Sequence, residues 1–269
     1  MSKAIRLAVK LSAFLTFGIL FFIIGYILVR GVPYLTPSLF AIKYTSDNVS
    51  LFPAMITTIM LVFLTLIIST PLGVFTGFYL VEYAKKGNKF VDVVRIATET
   101  LSGIPSIVYG LFGMLFFVIR LGFQYSLIAG ALTAVIMVLP LIIRSTEEAL
   151  LSVDDSLREA SFGLGAGKLR TIFRIVLPVA MPGILSGVIL SIGRVVGETA
   201  ALIYTIGTAT KIPNGLFSSG RTLSLHMYLL STEGIHVNES YATGVILLII
   251  IIMINGLSTY LSNKLTKGR

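Results

Sequence analysis

Arg194 and Glu198 stand four residues apart in a stretch that is otherwise apolar. A guanidinium presents five N–H donors in a planar fork that matches an oxyanion, and a carboxylate accepts from a proton-bearing oxygen. Together they suit hydrogen phosphate, whereas a fully deprotonated sulfate is repelled by the carboxylate. The same spacing also gives an i,i+4 ion pair on one helical face, which could fix packing between helices or subunits without binding anything. The sequence leaves both readings open.

A second constellation, GLGAGK over Gly163–Lys168, has glycine spacing near that of a phosphate-binding loop. A P-loop needs Gly at 162 and Ser or Thr at 169, where Phe162 and Leu169 stand. The spacing of Gly163, Gly165 and Gly167 does not fit a dinucleotide fold either, and no strand precedes it. His226 and His236 have no carboxylates at ligand spacing and the chain has no cysteine, so no metal site is expected. The spans hold one Arg and one Glu, with no catalytic Ser/Lys pair or paired aspartates among them, so an embedded enzyme is disfavoured.

The elements that must position these residues are membrane helices. Of 269 residues 55% are hydrophobic and 12% charged, a composition no soluble domain can solvate. Uncharged runs cover Leu11–Val29, Asn48–Val81, Thr100–Ile119, Leu121–Ile143, Ile175–Gly193 and Ser240–Asn263, against roughly 20 residues per crossing. They are too long and uniformly apolar for barrel strands, so the fold class is all-α with six transmembrane helices. The fifth run continues past Arg194 and Glu198 to about Thr210, which reads as a full span with a polar interior. From Pro182, Arg194 lies roughly 18 Å along that helix, near the middle of a hydrocarbon core. A central Arg costs on the order of 3 kcal/mol and so faces a bundle interior or an aqueous path. Pro71, Pro105 and Pro140 fall inside apolar runs and predict kinks.

The net charge of +9 is placed asymmetrically. Six spans put fifteen Lys and Arg on one side, among them Lys3, Lys86, Arg144, Arg158 and Arg269, and five (Arg30, Lys43, Arg120, Lys211, Arg221) on the other. That is the positive-inside pattern, with both termini cytoplasmic, and it leaves no basic patch for nucleic acid. Leu11–Val29 is long for a signal core and lacks a small-x-small site before Pro33, so a retained helix is expected. The chain reads as a single membrane domain, 1–269, with a core of about 52–262, a cytoplasmic loop of about 144–181 and an outer loop of about 211–239. No hydrophilic segment is long enough for a catalytic domain.

In the cytoplasmic loop, Ser156–Ala160 suits a helical turn capped by Asp154 or Asp155. Leu169, Ile172, Phe173 and Val176 suit one face of a second helix, the glycines a bend, and Pro178 and Pro182 a break at membrane re-entry. This helix–bend–helix resembles the EAA motif of the membrane subunits of ATP-binding-cassette importers. Glu159, Ala160, Ser161, Gly165, Ile175, Leu177 and Pro178 match its spacing, and Ser161, in place of an alanine, is the only departure. The resemblance implies a type I importer (MetI-like) permease fold, and a coupling role for Glu159, Ala160, Ser161, Gly163 and Gly165. GRVVGETAAL (Gly193–Leu202) and SGIPSIVYGLFG (Ser102–Gly113) resemble segments of phosphate importer permeases; chain length and a short amino terminus favour the PstA type, and the PstC type stays open. In both segments, small residues permit close helix contacts.

That family implies a substrate pathway through Arg194 and Glu198 in a prokaryotic cell membrane. It implies two ATPase subunits holding ATP and Mg, a PstC-like second permease and an extracytoplasmic phosphate-binding protein as partners, with no cofactor on this chain. Alternatives are a sulfate, molybdate or tungstate permease, or a secondary anion transporter; the latter needs no cytoplasmic knob and often has internal repeats, which this sequence lacks.

Overall fold

The computed structural model describes residues 3–85 and 87–267, so Lys86 and Arg269 of the basic tally lie outside the described residues. Those residues form helices and connections without strands: α1 (Lys3–Gly31), α2 (Phe52–Phe78), α3 (Lys89–Ser102), α4 (Ser106–Gly113), α5 (Leu127–Leu151), α6 (Asp155–Gly163), α7 (Lys168–Thr171), α8 (Leu177–Val196), α9 (Leu223–Glu233) and α10 (Val237–Lys267). Five helical segments are long and apolar enough to cross a membrane: Ile5–Tyr34, Phe52–Tyr83, Leu127–Leu151, Lys168–Val196 and Val237–Leu257.

The third expected span, Thr100–Ile119, is a bent pair instead. Lys89–Ser102 and Ser106–Arg120 meet at 103°, because Pro105 cannot donate into a continuing ladder and disfavours helical backbone at Ile104. Counting the pair as one crossing gives six. α3 starts at Asn88, whose side chain accepts from the Phe90 amide (3.0 Å). Its Arg95 is held by Glu147 at 2.6 Å, which pins α3 to α5.

α5 is the central post, flanked by α2 and α8. Each flanking helix approaches through glycines four apart. A Cβ on Gly73 or Gly77 would lie 2.6 Å from Ile142 or Thr146, one on Gly183 would lie 2.7 Å from Ala149, and Gly187 faces Ser145. Absent side chains let backbones close in lipid, where packing rather than hydrophobic burial drives association. α1 packs mainly on α10, with Gly31 against Tyr241 and Val245, and otherwise exposes apolar side chains such as Phe14 (79%).

Two expectations need correction. The helix Lys168–Val196 is not broken at Pro178 and Pro182. Pro178 falls in the first turn of α8, where its missing donor matters least, and the preceding turn widens to π geometry over Ile172–Val176. The fifth run does not continue as helix to Thr210. α8 stops at Val196 with Gly197 as its cap, whose amide bonds to the carbonyls of Gly193 and Val195. From Glu198 the chain folds into irregular turns in the core, where Ala201, Leu202 and Ile206 are fully buried. Non-helical backbone at such depth is stable only when protein surrounds and pairs it. Here Ser126 donates to the Thr205 carbonyl, while the Leu127 and Ile128 amides at the start of α5 are taken by the carbonyls of Ser218 (3.0 Å) and Leu216 (2.9 Å).

Candidate anion site and coupling element

Arg194 occupies the last turn of α8, where the helix dipole favours a cation. Because the helix ends at Val196, Glu198 does not share a helical face with it, and among the described residues the two form no ion pair. The Glu198 carboxylate turns back, and its Oε1 accepts from the Ala201 amide at 2.9 Å. Its carbonyl accepts from the Ser224 hydroxyl at 2.6 Å, and the residue is buried. A carboxylate has more acceptor positions than this one amide fills. Arg194 is partly exposed, and its side chain makes no hydrogen bond to another described residue.

The structure brings the two signature segments together. A Cβ on Gly110 would lie 2.8 Å from the Cα of Ala201, so α4 rests directly on the turn that follows Glu198. One residue earlier, Tyr109 is buried, donates to the Leu101 carbonyl at 2.6 Å and lies within electrostatic reach of Arg194. Gly110 is legible in the sequence as a small residue, whereas nothing local marks Tyr109 among the chain's 11 tyrosines.

The end of this segment that leads into α9 holds two residues that the sequence placed only in a loop. Arg221 is 5% exposed, lies 4.8 Å from the Tyr44 ring centroid, and its Nη2 finds no acceptor among the described residues. His226 is fully buried, and its Nε2 meets the Val49 carbonyl at 3.2 Å. Burial, reinforced by the Arg221 charge, pushes His226 down to about 3, so it stays neutral. His236 does have a carboxylate beside it, Glu239 at 3.8 Å.

On the opposite side, α6 begins at Asp154, whose side chain accepts from the Ser156 amide at 2.8 Å. That bond holds the carboxyl below its ordinary range. α6 ends in a Schellman motif: the Gly165 amide bonds to Phe162 O and the Ala166 amide to Ser161 O, with Gly165 at φ +81°. Gly165 is therefore required by backbone conformation, whereas Gly163 and Gly167 have negative φ. Glu159 and Ala160 are exposed on α6, and Leu164 at the bend is 89% exposed. Ser161, the departure from the motif, is buried and bonds to the Thr171 hydroxyl at 2.8 Å, joining the two limbs. The expected single apolar face of the second limb is divided. Ile172 and Val176 are buried with Leu150 and Val153, while Leu169 and Phe173 remain over half exposed.

Residues 69–267 match the family described as binding-protein-dependent transport system inner membrane component. The chain belongs to that family. Members are multi-pass inner-membrane transport subunits rather than enzymes, and the matched region contains both the Arg194–Glu198 turn and the Glu159–Gly165 element. The probable ABC transporter permease protein YqgI of Bacillus subtilis (strain 168) is 34% identical over 275 residues, 96% of this chain and 93% of that protein. The phosphate transport system permease protein PstA of Mycobacterium leprae (strain TN) is 46% identical over 167 residues, 62% of this chain and 54% of that protein. PstA 1 of Mycobacterium tuberculosis (strain CDC 1551 / Oshkosh) is 42% identical over 188 residues, covering 70% of this chain and 61% of that protein. The family likeness is thus of the PstA type, although the chain spans little more than half the length of these two PstA proteins. Among solved structures, an inward-facing MetNI methionine ABC transporter chain superposes with TM-score 0.64 at 21% identity, over 80% of this chain and 94% of that one. A chain of a bacterial alginate ABC transporter, solved with an alginate pentasaccharide-bound periplasmic protein, gives TM-score 0.68 at 17% identity over 98% of both. At these identities the likeness is one of fold, the MetI-like importer permease fold.

Proposed function

We propose that the chain is the PstA-like permease subunit of an ATP-driven phosphate importer in a prokaryotic cell membrane, with both termini cytoplasmic. Arg194 carries the cargo assignment: a guanidinium that forms no ion pair among the described residues, in the last turn of α8 where the two signature segments meet, four residues before a buried carboxylate with acceptor capacity left. It binds the phosphate oxyanion through its fork, while Glu198 accepts from the protonated oxygen and disfavours sulfate, molybdate and tungstate. A PstC-like permease completes the pathway, and a phosphate-binding protein delivers cargo from outside. Two separate ATPase subunits hold ATP and Mg, and they drive the spans through Glu159, Ala160, Ser161, Gly163 and Gly165. The carbonyl end of α8 favours a second reading, in which Arg194 only caps that helix.

Purified complex in proteoliposomes separates these readings. Isolation of the unaltered chain with an ATPase and ATP-driven phosphate uptake are expected, and absence of both sinks the importer reading. Arg194→Ala should abolish uptake with the complex still assembled. Arg194→Lys keeps the capping charge but loses the fork, so a fall of roughly tenfold or more is expected; wild-type uptake in this variant would leave Arg194 only a cap.

A further inference from the structure

Arg158 precedes Glu159 on α6 and points away from the exposed surface of the coupling element. Its side chain is 14% exposed and that of Glu82 is 9%. Nε and Nη2 both donate to Glu82 Oε1, at 3.1 and 2.9 Å. Nη1 donates to the Val153 carbonyl (2.8 Å) and Asp155 Oδ1 (3.0 Å), and Nη2 also donates to the Leu150 carbonyl (2.9 Å). Every N–H of the fork is therefore used. Glu82 belongs to the π-helical turn Tyr79–Tyr83 that extends the inner end of α2, and Leu150 lies at the end of α5. The other limb grips the same turn independently, with Lys168 Nζ 4.7 Å from the Tyr83 ring centroid. Phe78, Leu150, Ile172 and Val176 fill the space between in one buried cluster.

We infer that Arg158, with Lys168 in support, makes the coupling element and the inner end of α2 one rigid body, so that α2 receives the stroke from the partner ATPase. A fork with all donors engaged on three chain segments has no rotamer to yield before the segments move together. α2 runs about 40 Å to the outer side, where Thr58 accepts from the Leu223 amide at 2.9 Å and the neighbouring Ser224 holds the Glu198 carbonyl. Displacement of α2 therefore acts on the turn that carries Glu198. Arg158 and Glu82 are positioning residues that touch neither nucleotide nor cargo.

The inference rests on the importer reading, and the test separates the two. Spin labels on cysteines introduced at exposed Ser156 and Tyr79, in a chain with no native cysteine, report the distance between α6 and the α2 end in the complete complex. With the joint intact that distance should be the same without nucleotide and with ATP, and in Glu82→Gln it should change between the two states. In parallel, Glu82→Gln and Arg158→Lys should keep ATPase attachment and hydrolysis, while phosphate imported per ATP falls by roughly tenfold, within the usual range of coupling energies. Glu82→Asp should recover part of this ratio. A distance that already changes with the joint intact overturns the inference, as does an unaltered import-to-hydrolysis ratio in both variants, or a loss of import only in step with loss of the complex. If the unaltered complex imports no phosphate with ATP, the importer reading fails and the inference fails with it.

Discussion

Had α8 continued for one more turn, Glu198 would lie beside Arg194 and neutralise it. Gly197 caps the helix first, and the carboxylate bends onto the Ala201 amide instead. The spacing in GRVVGET thus misled as an i,i+4 signal. The cap was legible in principle, since glycine at a helix end is common, but the turn behind it depends on α4, α5 and α9, which local sequence does not contain. His226 gives a residue-scale prediction. Donation to the Val49 carbonyl requires the proton on Nε2, leaving a buried Nδ1 without a partner among the described residues. The bond also holds Val49, a β-branched residue at φ +38°, in a conformation it would otherwise avoid. With the folded pKa at about 3 against 6.5 unfolded, the unfolded chain binds the extra proton between those values. Stability present above pH 6.5 is lost as pH falls toward 3, by about 1.4 kcal/mol per pH unit. Thermal unfolding in detergent at about pH 5 should show roughly 2 kcal/mol of this loss, and His226→Gln should flatten the dependence. An equally steep acid limb in that variant would point to other groups.

At the scale of elements, the bend between α6 and α7 was largely written in its caps. Asp154 and Gly165 mark the start and end of α6 by chemistry that operates within a few residues. Gly165 has open space where a Cβ would go, so only its φ of +81° opposes substitution. Gly165→Asp should therefore cost on the order of 1–2 kcal/mol locally and loosen the bend. Either a lower yield of co-purified ATPase or hydrolysis uncoupled from uptake is expected, and full coupling would count against the docking role. The division of the second limb was not legible. Leu169, Ile172, Phe173 and Val176 share one broad helical face by spacing, and only the distant partners Leu150 and Val153 decide that two of them turn inward. Likewise Pro105 announced a break, but the sequence did not supply its 103° angle. α3 is held down by the Arg95–Glu147 pair across 52 positions.

Across the whole molecule, the six apolar runs carried most of the architecture, because membrane crossing is decided by length and polarity. What they could not carry was the arrangement around α5, which rests on glycine pairs at α2 and α8 that meet residues about 70 and 40 positions away. Orientation is open to direct measurement in a chain without native thiols. A membrane-impermeant maleimide should label Asn214→Cys in intact cells and Ser156→Cys only after permeabilisation; the reverse pattern would invert the topology.

The carbonyls of Leu216 and Ser218 that close the start of α5 have one more consequence. The amides of Leu127 and Ile128 are shut off from solvent deuterium only while that distant segment stays seated. Their isotope uptake therefore keeps time for the half of the protein around residues 197–222: each departure of the 216–218 strap admits label at the first turn of its central post, whether or not any cargo moves.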